Sequence, residues 1–170
     1  MDITSEMIKG LREQSGAGVM SCRSALLEAN GDITKALQIL KEKNLVQVEK
    51  KATRTTSQGL IESYVHAGGR IGVVIEVNCE TDFVARTDVF KELAHSLAMQ
   101  VAALAPICVS KEQIPQGADV DPQAASLLSQ PYIKDTTKVV QDIINEAIAK
   151  TGENIKIRRF VRYELGEEIK

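Results

Sequence analysis

The stretch Glu76-Val77-Asn78-Cys79-Glu80-Thr81-Asp82-Phe83-Val84-Ala85-Arg86 joins two different hydrophobic periods. Before it, Ile71, Val73, Ile75 and Val77 alternate with other residues, the period of a strand with one buried face. After it, Phe90, Leu93, Ala94, Leu97, Val101 and Leu104 recur at helical spacing. The junction itself holds Asp82-Phe83, an acidic residue beside an aromatic one. Junction loops on a rigid sheet commonly carry binding residues. Composition alone favours the plainer role, in which Phe83 plugs the core, because phenylalanine is mostly buried.

Outward from the junction, Gly59 to Ala67 and Arg70 to Cys79 read as a hairpin around Gly68-Gly69, a pair that tolerates the positive φ angles of a tight turn. Such a hairpin holds Thr81 to Val84 at a fixed place relative to the sheet. Thr87-Asp88 is a helix start, its acidic residue favoured by the amino-terminal partial charge, and Pro106 is the stop. His66 falls near the hairpin turn, His95 at the edge of the helical stripe, and Cys108 in a short apolar stretch suited to inert packing.

Residues from Thr4 to about Lys43 read as three short helices. Thr4 is the expected N-cap of the first, with Ile3 and Ile8 placed for a hydrophobic staple and Ile3, Met7, Ile8 and Leu11 on one face. Ser15-Gly16-Ala17-Gly18 breaks it, since glycine accepts the left-handed geometry of a C-cap. The second helix turns Cys22, Ala25, Leu26 and Ala29 inward and stops at Asn30-Gly31. Asp32 caps the third, where Ile33, Ala36, Leu37 and Leu40 form the inner face. So small a bundle is marginal alone. Periodicity fades from Asn44 to Ser57, where Lys50, Lys51 and Arg54 suggest a basic, flexible linker, with a helical extension as the alternative.

Beyond the long helix, Ser110-Lys111-Glu112-Gln113 is a capping-box pattern closed by Pro115, and residues 116–130 read as a long loop. Thr136 is expected to cap a helix with Val140, Ile143, Ile144, Ala147 and Ile148 inward, ending at Gly152. A last strand alternates Ile155, Ile157, Val161, Tyr163 and Leu165 against Lys156, Arg158, Arg162 and Glu164. Arg159 and Phe160 break that alternation, which marks a partner surface, a bulge or a shifted register. The chain is therefore expected to be α+β: a three-helix module over 1–43, a linker over 44–57, and a 58–170 core with a three-stranded antiparallel sheet packed on helices.

Composition narrows the function. The 170 residues carry a formal net charge of -2, against a binder that relies on neutralising phosphates. The charge is uneven: up to Ser57 there are nine Lys or Arg and seven Asp or Glu, and beyond it twelve against sixteen. Cys22, Cys79 and Cys108 are odd in number and widely spaced, which fits reduced thiols in a cytosolic protein. Met1-Asp2-Ile3-Thr4-Ser5-Glu6 lacks the basic start and apolar run of a signal peptide, and Leu93 to Ala105 is too short and interrupted to span a bilayer. These features point to a cytoplasmic protein with no membrane partner.

No phosphate-cradling Gly-rich motif and no zinc spacing is present, so neither cofactor nor metal is expected. The two histidines, His66 and His95, lack companion motifs for nucleophilic work. Glu80 and Asp82 are an acid–base pair by type, but carboxylates at a strand exit are more often solvated. No catalytic residues are assigned. An alternative is nucleic-acid binding through the helical bundle and Arg158-Arg159-Phe160 with Arg162, against which alternating cations are an ordinary way to keep a sheet edge soluble.

Glu76 to Arg86 resembles the signature segment of the elongation factor Ts family, the guanine-nucleotide exchange factors of translation elongation factor Tu, at every position. Leu11 to Leu26 is similar to the family's amino-terminal motif, departing at Ser15, Ser21 and Arg23. Gly152-Glu153-Asn154-Ile155-Lys156-Ile157-Arg158-Arg159-Phe160 is similar to its closing strand, and Gln130-Pro131-Tyr132-Ile133 to another short element. The resemblance implies a ubiquitin-associated-like amino-terminal module and a non-enzymatic exchange role. It implies that Thr81, Asp82, Phe83 and Val84 wedge into elongation factor Tu and disturb its Mg2+ site, and that Arg12, Val19 and Met20 dock the helical module. Longer members carry a second sheet module at residues 116–130, for which this chain has no room, so a homodimer of the short form is expected.

Overall fold

The computed structural model describes residues 3–168. Met1, Asp2, Ile169 and Lys170 lie outside the described residues, and with them the start of the segment read for a signal peptide and the end of the 58–170 unit.

Three helices open the chain, α1 (Ser5–Ser15), α2 (Val19–Glu28) and α3 (Ile33–Lys51). Thr4 and Asp32 cap α1 and α3, their side chains accepting from Met7 N and Lys35 N. Gly16 closes α1 at φ 66°, the left-handed conformation that glycine adopts without steric cost. Leu11, Cys22, Ala25, Leu26, Ala29, Ala36 and Leu40 make the small core. Ile33, expected inside, is exposed, because it occupies the first position of α3 beyond the packed turns.

Residues 44–51 correct the expectation of a flexible linker: α3 continues through them to Lys51. Its second half reaches the main core, where Val48 packs. One helix therefore enters both cores, with Leu40 in the first and Val48 against the second.

The fold is α+β. A three-stranded antiparallel sheet runs β1 (Gln58–Val65), β2 (Ile71–Cys79) and β5 (Lys156–Glu164), in that spatial order. Between β2 and β5 come α4 (Asp82–Ala85), α5 (Asp88–Leu104), α6 (Pro122–Ala125), a short hairpin of β3 (Pro131–Tyr132) and β4 (Asp135–Val139), and α7 (Val140–Thr151). The inward face of the sheet, Val73, Ile75 and Val77, packs with Phe90, Leu97 and Val101 of α5 and with Val140, Ile144 and Ile148 of α7. Leu104, at the last turn of α5, is exposed rather than part of that stripe.

Three further expectations are corrected. Thr136 lies in β4, and α7 starts at Val140, where the Asp142 carboxylate accepts from Val139 N at 3.0 Å. Residues 121–130 are structured rather than open loop: Asp121 caps α6, and Ala125, Ser126, Leu127 and Gln130 are buried. In β5 the anomaly at Arg159 and Phe160 is a bulge. Glu76 pairs with Arg159 and the adjacent Val77 with Ile157, so Arg158 is an extra residue. The bulge reverses the faces beyond it: Phe160 packs on the core, while Val161 and Tyr163 stand exposed.

At Gly59 the backbone of β2 occupies the space a side chain on β1 would need. At φ 146°, a Cβ there would sit 2.1 Å from the Val77 carbonyl oxygen and 2.7 Å from Asn78 Cα, both backbone atoms that cannot rotate away. Gly59→Ala is expected to lower unfolding free energy by about 1–3 kcal/mol, measured by urea denaturation. An unchanged midpoint would mean that the strands separate more easily than this register implies.

Candidate partner-binding site

The segment after β2 leaves the sheet at Cys79 and turns at once into α4. Thr81 is extended (φ -126°, ψ 156°), and its Oγ1 accepts from Val84 N at 3.4 Å, capping the four-residue helix. Ala85 is buried and Val84 packs against the main core, so the inward side of α4 is already filled. Phe83 therefore points outward and is 78% exposed. The core-plug role favoured by composition is overturned. Phe90, fully buried, fills the core instead. Asp82 is half-exposed, paired with Arg86 at 2.8 Å one turn on.

The turn is tied down from behind. The Glu153 carboxylate accepts from Glu80 N at 3.1 Å, Thr81 N at 3.0 Å and Thr81 Oγ1 at 2.6 Å. In return, the backbone N–H of Asn154 donates to Glu80 Oε1 at 2.7 Å. Asn154 is buried, and its side-chain amide donates to the Ala52 and Arg54 carbonyls just past α3. In the sequence, Glu153 and Asn154 stand out only as part of a segment similar to a strand. A carboxylate and an amide beside a helix-ending glycine were the available signal, but nothing in the sequence says what they touch.

Glu80 and Asp82 are engaged by different partners, Asn154 N and Arg86, rather than sharing one proton site. Cys79 is fully buried, its Sγ donating to the Thr81 carbonyl at 3.1 Å. Burial, and then the nearby negative charge of Glu153, push its thiol from 9.0 to about 11. A thiol so held is a poor nucleophile at neutral pH. His95 Nδ1 lies 2.9 Å from Glu62 Oε1 and His66 Nδ1 3.0 Å from the Tyr64 hydroxyl, both on the protein surface. Among the described residues no group of three or more His, Cys, Asp or Glu is arranged to hold a metal ion.

On the helical module, Arg12, Val19 and Met20 are exposed, Met20 by 72%. Met20 rims a groove between α2 and α3 that Leu40 and Val46 also line. Ser15 still does the work of a hydroxyl at its position, donating to Leu11 O at 2.7 Å and accepting from Ala17 N at 3.2 Å. Ser21 and Arg23 are exposed. The two site segments are thus on separate elements, joined through α3 and Asn154.

The cations considered for nucleic acid have local partners. Arg159 bonds Glu76 at 2.9 Å and Arg158 lies 3.7 Å from the same carboxylate. Arg162 donates to the Ala102 carbonyl at 3.3 Å and pairs with Glu164. No helix among the described residues is long and apolar enough to cross a membrane.

The raised Cys79 thiol has a consequence for stability. Its contribution is complete below about pH 9 and is lost as pH rises toward 11, because the unfolded thiol gives up its proton first. Denaturant titrations should show wild type losing about 1–3 kcal/mol relative to Cys79→Ala across that window. Parallel pH profiles for the two proteins would contradict the buried, protonated thiol.

Comparison with known proteins completes the assignment. The family model described as elongation factor TS matches residues 23–121, over half of the chain. Elongation factor Ts of Thermotoga maritima is 50% identical over 195 aligned residues, covering 98% of each chain. That of Moorella thermoacetica is 47% identical, covering 98% of this chain and 97% of its own. That of Syntrophomonas wolfei is also 47% identical, covering 98% and 92%. The alignments are longer than the 170 residues here, so these relatives carry residues with no counterpart in this chain. On the matching family model and on identity over nearly the whole length, the chain belongs to the elongation factor Ts family.

Proposed function

We propose that this protein is a guanine-nucleotide exchange factor for elongation factor Tu. It acts in the cytoplasm by binding rather than by making bonds. The observation that carries the reading is Phe83: an aromatic ring 78% exposed at the tip of a turn that is anchored from behind. A large apolar side chain held in water at a rigid place is suited to insertion into a partner. Thr81, Asp82, Phe83 and Val84 form the wedge that disturbs the Mg2+ and phosphate contacts of the GTPase. Arg12, Val19 and Met20 dock the amino-terminal module. Residues 1–43 are the docking unit, 44–57 the connection and 58–170 the core that presents the wedge.

Such a factor needs no catalytic group. A GTPase holds its nucleotide through phosphate contacts and Mg2+. A partner that binds the nucleotide-free shape more tightly loosens the nucleotide by the same free energy by which the nucleotide loosens the partner. A thousandfold faster release needs the barrier lowered by about 4 kcal/mol. Burying an exposed phenylalanine supplies about 1.5–3 kcal/mol. Phe83 thus provides much of the requirement, and the docking module adds the remainder from a second side.

We also propose self-association through the outer face of the sheet. Ile61, Val65, Val74, Val161 and Tyr163 are all exposed there on one face, and grouped exposed apolar side chains of this kind mark interaction surfaces. Light scattering at micromolar concentration should give a dimer; monomer alone, with full exchange activity, would contradict it.

Release of fluorescent GDP from elongation factor Tu tests the exchange reading. Phe83→Ala should slow stimulated release by roughly 10- to 150-fold, the kinetic equivalent of the burial energy above. Asp82→Ala should slow it less. Both should leave melting nearly unchanged, since neither side chain is part of the core. Normal stimulation by Phe83→Ala would remove the wedge.

A further inference from the structure

The proposed wedge is mounted on very little. Four residues of helix have no stability of their own, and Phe83 itself makes few contacts because it is exposed. Behind it, one carboxylate gathers two consecutive backbone N–H groups, those of Glu80 and Thr81, and the hydroxyl of the capping threonine. Hydrogen bonds to an ionised acceptor are stronger than neutral ones, and three converging on one group define a direction as well as a distance. The same threonine oxygen accepts from Val84 N, so Glu153 orients the atom that starts α4. The contacts span 72 and 73 positions in sequence, which local chain stiffness does not provide.

We propose that Glu153 is a positioning residue for nucleotide exchange: its carboxylate holds the Glu80–Val84 turn so that Phe83 is presented ready to insert. This inference rests on the exchange reading of the Phe83 segment. Glu153 does not touch the partner. Without it, the turn samples orientations in which the ring misses its target, and each encounter is less productive. The docking surface on α1 and α2 is untouched by the change, so affinity for the partner is largely retained. The expected signature is a lower maximal rate of stimulated release rather than a higher half-saturating concentration.

The test uses the full chain and fluorescent GDP on elongation factor Tu, with factor titrated to saturation. Glu153→Ala should lower the maximal release rate roughly tenfold and move the half-saturating concentration by less than about twofold. Glu153→Gln, whose carbonyl oxygen still accepts from both N–H groups, should recover most of the rate. In a Phe83→Ala background, Glu153→Ala should cost much less than it does alone, because the largest group it positions is gone and only the Asp82 contribution remains. Hydrogen exchange at the Glu80 and Thr81 amides should quicken at least tenfold in Glu153→Ala. Glu153→Asp keeps the charge but withdraws it by one methylene; it should give the same signature at smaller size, and serves should the alanine variant not fold. An unchanged maximal rate in Glu153→Ala or Glu153→Asp, beside a slowed Phe83→Ala, would overturn the positioning role and leave the exchange reading standing. Multiplying effects in the double variant would overturn it as well. Normal release with Phe83→Ala would overturn both.

Discussion

The carboxylate of Glu153, accepting from Glu80 N, Thr81 N and Thr81 Oγ1, is the contact on which the arrangement of this molecule turns. It joins the end of a strand to the start of another 72 residues later, and it does so where the chain leaves the sheet and exposes the Phe83 ring. Exposing phenylalanine forgoes about 1.5–3 kcal/mol of burial. A fold tolerates that loss when the backbone beneath is held by other means. Here the other means are polar: Glu153 on the turn, Glu80 on Asn154 N, and Asn154 on the carbonyls of Ala52 and Arg54.

The second constraint is α3. A bundle with a core of seven small or medium side chains buries little surface and is marginal alone. Extending α3 to Lys51 lets Val48 reach the larger core, so the small one leans on the large. That continuity also fixes a geometry. The surface carrying Arg12, Val19 and Met20 and the turn carrying Phe83 are connected by a helix and a buried asparagine rather than by loose chain. On the proposed function this matters, because two weak contacts held at the spacing of their sites on the partner bind at higher effective concentration than two joined by a flexible chain.

Much of this was legible in the sequence, for reasons that can be named. The β1–β2 hairpin could be read because Gly68-Gly69 accepts the positive φ angles of a turn and Val73, Ile75 and Val77 alternate without a break. The module could be read because Thr4, Gly16 and Asp32 are unambiguous end signals. Reading failed where long-range contacts decide. Residues 44–51 are helical, with Val48 packed on a core distant in sequence. Asp142, reaching back to Val139 N, moved the start of α7 and left Thr136 to pair in β4. Arg158 is a bulge only because of what lies opposite it on β2. Phe83 is the most instructive case: residue type argued for burial, and only the filled space beneath α4 sends it outward. For the Glu153 contacts the sequence offers only a carboxylate beside a helix-ending glycine, with nothing to say what it touches.

The central claim is that the Phe83 ring leaves water when the partner is free of nucleotide and returns to it when nucleotide is bound. A fluorine label on that ring, followed by 19F NMR, observes this without reference to rates. Adding nucleotide-free elongation factor Tu should shift and broaden the resonance, and excess GDP should restore the free spectrum by displacing the factor. A complex that forms, as judged by its slower tumbling, while the resonance keeps its free position and its sensitivity to solvent would contradict the account.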